Sequence, residues 1–177
     1  MRATCADGLD FWSFVDLARR RLSNEFGVRN VRATEVLLSL NRASGIVTYD
    51  LESVVHRPSG GSWATFRIMY ALWLAGPMES RKLAELTGMS RAAISNLTGP
   101  MVEAGLLSRE PHEKDRRRVI VGLTDLGAQE IAVVFAQHHR REIEWVSSLD
   151  PDEQQTLIRL LNKLVAGRDD FDITYRR

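Results

Sequence analysis

Four cations, Lys114, Arg116, Arg117 and Arg118, stand around Asp115 in the segment HEKDRRRVIVGLT, residues 112–124. Like charges so close together repel one another and add nothing to folding, so their natural partner is a polyanion. An arginine can enter a minor groove of strongly negative potential or pin the phosphates beside it. Asp115 reads as a brace that fixes the direction of one guanidinium by a charge-assisted hydrogen bond. A second set lies upstream in SRKLAELTGMSRAAISNLT, residues 80–98: Ser90, Arg91, Ala92, Ser95, Asn96 and Thr98. Short side chains of this kind let a helix sink into a groove about 12 Å wide. There Arg can fork onto guanine, Asn can pair with adenine, and an Ala or Thr methyl can meet thymine. Each set alone also fits an ordinary solvated surface. Their close succession favours a nucleic acid.

Such a reader must be held by two helices crossing at a tight turn. Ala84 is the small residue at the crossing, and Gly88 can take positive φ without a Cβ clash. Ser90 is placed to cap the second helix. Ile94 and Leu97 are its inward anchors, faced by Leu83 and Leu86 from the first helix. Pro100 is out of place. It removes a backbone donor and crowds the carbonyl of Asn96, at about 3 kcal/mol in an uncompensated helix interior. Either the helix bends there or it ends near Thr98 and restarts. Leu106–Arg109 is expected as a short strand and VIVGL, residues 119–123, as its return, with Pro111 to Arg118 forming a long hairpin tip.

Long helices flank this core. Residues 9–26 carry Leu9, Trp12, Val15 and Leu22 on one face, with arginines at 19–21 on another. Residues 33–56 place Val36, Leu40, Ala43, Val47, Leu51 and Val54 along a narrow seam suited to a partner helix. HRPSGGS breaks it, and Ser62 caps the next helix, which stops at Gly76-Pro77. Thr124 begins a helix bearing Ile131, Val134, Phe135, His138, Trp145 and Leu149. Asp150 and Pro151 start a last one with Leu157, Leu160, Leu161 and Leu164, ending near Gly167. Exposed apolar seams cost about 25 cal/mol per Å², so these helices should pair between subunits of a homodimer.

Composition narrows the alternatives. The 177 residues are 44% hydrophobic and 27% charged with a net charge of +1, so a role on nucleic acid has to rest on local charge. The single cysteine, Cys5, excludes an intramolecular disulfide and a cysteine-cluster metal site. No apolar run approaches the roughly 20 residues of a membrane span and no signal-peptide core is present, which reads as a reduced, cytoplasmic protein without a membrane partner. An enzyme is the rival from another class, through His112, His138 and His139 with Glu113 or Glu142. His138 and His139 point about 100° apart on a helix and should not share a ligand easily. No phosphate-cradling loop, nucleophile elbow or metal-spaced acid cluster accompanies them. No cofactor or metal is expected. A helical dimeric adaptor or ligand-binding protein without DNA binding is the other alternative.

From GPMESRKLAELTGMSRAAISNLTGPMVEAGLLSREPHEKDRRRVIVGLTDLG the chain resembles the MarR family of winged helix-turn-helix transcription regulators, over about residues 33–166. The family's Asp-x-Arg pattern falls on Asp115 and Arg117, followed by Leu123, Thr124 and Gly127 at the start of the next helix. The resemblance implies a mainly α (α+β) fold, with long N- and C-terminal dimerisation helices and a two- to three-stranded β-wing. It implies dimerisation helices in 1–60, a DNA-binding lobe in 61–127, and dimerisation helices with a tail in 128–177. Residues 90–98 become the major-groove reader, Arg117 the minor-groove arginine and Asp115 its brace, acting on a pseudo-palindromic operator in double-stranded DNA. Members are commonly repressors released by a small, often aromatic ligand. Here that ligand's junction would be lined near His56, Trp63, Arg67 and Tyr70. Pro100 and the helix at 9–26 depart from the family pattern.

Overall fold

The computed structural model describes residues 10–27, 29–112 and 115–167. Two compact units divide the chain, Met1–Tyr49 and Asp50–Arg177. In the first, α1 (Phe11–Asn24) opens with a reciprocal cap: Asp10 accepts from the Ser13 N–H at 2.8 Å, and the Asp10 N–H donates to the Ser13 hydroxyl at 2.9 Å. Val15 is buried, and with Ala18 it meets Val31, Thr34 and Leu38 of α2 (Val31–Leu51). The expected seam is mixed: Val36 and Val54 are about half exposed and Ala43 is exposed, Leu40 and Val47 are partly buried, and Leu51 is buried.

Past Leu51 the helix widens into one π-helical turn, Glu52–His56, in which the Arg57 N–H reaches back to the Glu52 carbonyl at 2.9 Å. Ser62 and Thr65 then cap α3 (Trp63–Ala75) reciprocally, and Gly76, at φ 77°, ends it. A short strand, β1 (Met78–Glu79), leads to α4 (Ser80–Thr87), and Gly88 at φ 64° makes the left-handed turn expected of it. α5 (Arg91–Glu103), β2 (Leu107–His112), β3 (Asp115–Leu123), α6 (Asp125–Val146) and α7 (Pro151–Ala166) follow. The sheet is antiparallel in the order β1-β3-β2. Ile68, Leu83, Ile94, Val121 and Ile131 form its fully buried centre, where α3 to α6 meet the sheet.

Two expectations are corrected here. The hairpin has no long tip: β2 reaches His112, β3 begins at Asp115, and the two pair. The regular ladder runs from Leu107 opposite Leu123 to Pro111 opposite Val119; the register then shifts, and the next pair is His112 with Asp115, so residues 116–118 lie in the irregularity between them. The arginines stand within β3 at that irregularity. Leu86 is 53% exposed rather than facing the second helix; the inner face of α4 is Leu83, Ala84 and Thr87.

The far end of the hairpin is welded to α6. Thr124 caps the helix by accepting from the Gly127 N–H at 3.0 Å, and its hydroxyl donates to the Gly105 carbonyl at 2.6 Å. A Cβ on Gly127 would lie 2.1 Å from the Leu106 carbonyl oxygen, so only glycine lets the helix start this close. Lower on α6, Arg141 grips Asp50 with Nε and Nη2, each at 2.7 Å, and the Trp145 indole donates at 2.8 Å. The Arg141 guanidinium and the Trp145 N–H hold the Asp50 carboxyl at about 2. α7 is capped by Asp150 with Pro151 in its first turn, as expected, and buries none of its residues. Among the described residues no helix is long and apolar enough to cross a membrane.

Candidate nucleic-acid interface

Local chemistry builds the reader. Ser90 caps α5 by accepting from the Ala93 N–H at 3.1 Å, which fixes where the helix starts and hence which residues face out. Ile94 is fully buried and Leu97 packs half-buried against the core, so Ser90, Arg91, Ala92, Ser95 and Asn96 lie together on the exposed side. Thr98 does not join them. It is fully buried, and its hydroxyl donates to the Ile94 carbonyl at 2.7 Å. A residue four positions after an inward anchor turns inward too, and a threonine can satisfy its own hydroxyl on that carbonyl. The helix also passes Pro100 without ending, so of the two alternatives the restart near Thr98 does not occur.

Arg109 is a residue that the sequence reading left as plain strand. It stands exposed on β2, and its Nη2 donates to the Ser95 carbonyl at 3.2 Å and to the Thr98 hydroxyl. No sequence signal marks it, because the contact spans the turn between α5 and β2.

On the wing, Arg118 is not an unpaired cation. Its Nη1 lies 3.2 Å from Glu79 on β1, since Glu79 sits opposite Ile120 across the β1–β3 ladder. Asp115, Arg116 and Arg117 are placed as backbone in β3, but their side chains, like Lys114, lie outside the described residues. The bracing of Arg117 by Asp115 lies there too.

The residues expected to line an effector junction are partly brought together. His56 is 1% exposed, its ring 4.5 Å from Phe66, 5.6 Å from Trp63 and 5.2 Å from His138 between ring centres. Tyr70 joins through Phe66 at 5.5 Å and Phe135 at 5.4 Å. Arg67 points elsewhere, its guanidinium 3.5 Å from where a Cβ would stand on Gly88. Phe66, Phe135 and His138 are the members missed. Ser59, Ser62, Thr65, Glu130 and Val134 line a cavity of about 30 Å³ beside His56. Burial pushes the His56 imidazole down to about 4, helped by His138 and opposed by Glu52.

His138 and His139 both reach Glu142, each through a different oxygen: Nε2 of the first and Nδ1 of the second lie 3.0 and 3.1 Å from them. A carboxylate is wide enough to meet two rings that diverge around a helix. Among the described residues, no three His, Cys, Asp or Glu side chains converge as a metal site.

Comparisons with known proteins agree with this architecture. A model described as "MarR family" matches residues 62–119. The chain is 33% identical over 135 residues to the HTH-type transcriptional regulator YwaE of Bacillus subtilis, covering 76% of this chain and 79% of that one. AbsC, a MarR family transcriptional regulator from Streptomyces coelicolor, superposes with a TM-score of 0.70 at 22% identity, over 76% of this chain and 93% of its own. A mutant MarR from E. coli complexed with operator DNA superposes at 0.66 and 21% identity, over 77% and 98%. At that identity the two structures speak for the fold.

Proposed function

This chain belongs to the MarR family of transcriptional regulators, and from that premise we propose that it acts as a dimer on a pseudo-palindromic operator and represses until a small aromatic ligand releases it. The observation that carries the reading is the outward face of α5: a capped helix, anchored by Ile94, that presents Arg91 among the short side chains of Ala92, Ser95 and Asn96. That face suits the major groove, with Arg91 and Asn96 able to make bidentate base contacts. Lys114, Asp115, Arg116 and Arg117 serve the adjacent minor groove, with Arg117 as the inserted side chain and Arg118 shared with Glu79. A two-fold pair of readers about 34–36 Å apart matches half-sites one helical turn apart.

The second subunit is supported by apolar surface. Leu157, Ile158, Leu160 and Leu164 of α7 are each about half exposed, the kind of clustered apolar side chains that a partner subunit covers. For the ligand, His56 offers two ring nitrogens without a partner beside a wall of aromatic rings. The adjoining cavity of about 30 Å³ is far below the roughly 300 Å³ of an ordinary ligand pocket, so an aromatic ligand has to part these rings as it enters.

Arg117→Ala tests the reading. Operator binding by the wild type should fall steeply with salt, and the variant should bind at least about tenfold more weakly with unchanged thermal unfolding. Wild-type retention on DNA that is weak and insensitive to salt would favour an adaptor instead.

A further inference from the structure

Pro100 sits inside α5, and the helix carries on through it to Glu103. A proline has no N–H, so the Asn96 carbonyl loses the donor that residue 100 would otherwise supply. The interruption falls at the end of the turn that displays Ser95 and Asn96. On its inner side, that same turn is tied to the wing. Arg109 on β2 donates from Nη2 to the Ser95 carbonyl at 3.2 Å and to the Thr98 hydroxyl, and Thr98 in turn donates to the Ile94 carbonyl at 2.7 Å. Thr98 is completely buried and its bond to the Ile94 carbonyl is shielded from water, whereas the Arg109 guanidinium approaches from the exposed side. One guanidinium thus reaches the Ser95 carbonyl directly and the Ile94 carbonyl through Thr98, just ahead of the point where the helical ladder is broken.

We propose that Arg109 and Thr98 are positioning residues for operator recognition: they splint α5 against the wing strand and offset the weakness at Pro100, so that reader and wing meet DNA as one body. The inference rests on the DNA-binding reading above. A charged donor gives the splint its strength, and a buried threonine at a helical interval from Ile94 gives it direction. Arg109 acts here through α5 and not by touching a phosphate.

Thr98→Val keeps the buried volume and removes the hydroxyl, and Arg109→Met keeps the aliphatic stem and removes the donors. Each is made alone and with Pro100→Ala, in the full-length protein. Without DNA, amide exchange at residues 95–103 should quicken in both single variants and return towards the wild-type rate when Pro100→Ala is added. With operator DNA, each single variant should lose about tenfold in affinity. Its preference for operator over base-substituted sites should narrow, the slope of log affinity against log salt should stay unchanged, and Pro100→Ala should restore most of the loss. A slope reduced by about one in Arg109→Met, with Thr98→Val binding normally, would make Arg109 a phosphate contact and overturn the splint. Losses of equal size with and without Pro100→Ala would overturn its link to the proline. Unchanged amide exchange in Thr98→Val would overturn it altogether. Altered exchange in a protein that ignores DNA would instead leave the splint standing and remove the DNA-binding reading.

Discussion

Three buried ring nitrogens have no partner among the described residues, both nitrogens of His56 and Nδ1 of His138. An imidazole in that position is kept neutral, and it is a liability in acid. The unfolded chain takes up a proton near 6.5, whereas folded His56 refuses it until about 4. Between those values the unfolded state binds more protons, so stability falls as the pH drops through the window and is flat above it. The full gap corresponds to about 3 kcal/mol. His138, also lowered by burial, adds to the trend in the same direction. Thermal unfolding followed from about pH 7 to about pH 4.5 should show the midpoint falling, and His56→Phe should flatten that decline while preserving the ring stack. A decline of equal steepness in His56→Phe would place the acid sensitivity elsewhere.

Individual elements were legible wherever the signal is local. Ser62, Ser90, Asp150 and the turn at Gly88 all do what their types and spacing imply, because a cap or a left-handed turn is decided within four residues. Gly127 is different in kind. Its place after Leu-Thr was readable as a pattern, but its reason is the Leu106 carbonyl, which a Cβ would meet at 2.1 Å. That atom is backbone and cannot swing aside. Gly127→Ala should therefore push α6 off the hairpin and cost about 2 kcal/mol or more, read as a drop in the unfolding midpoint. An unchanged midpoint would mean that the helix start shifts freely. The regular pairing of residues 107–111 with 119–123 falls where the expected strands lie; what apolar periodicity does not reveal is the further pair His112–Asp115 beyond the register shift.

At the scale of the molecule, long amphipathic helices without a covering partner are the dominant feature. No residue of α7 is fully buried, and about half of the surface of Leu157, Leu160 and Leu164 faces water. Leu160→Arg should yield a monomer by sedimentation with its helical circular dichroism intact, and operator binding should fall sharply, since one reader alone spans one half-site. A stable dimer in that variant would remove α7 from the subunit interface. In the proposed dimer the site scales with the assembly in the same way: each α5 face is short, and operator affinity would come from pairing two of them.

Readable from the amino acids alone were the helix starts and stops, the glycine turn, the succession of reader and arginine-rich wing, and with them the resemblance to the family. Those are short-range properties of backbone hydrogen bonding and dihedral preference. Only the tertiary structure decided that Thr98 faces inward while Asn96 faces out, that Arg118 is held by Glu79, and that Arg109 bridges β2 to α5. Each depends on which surfaces of distant elements come to face one another, and helical or strand periodicity specifies a face without saying what will meet it.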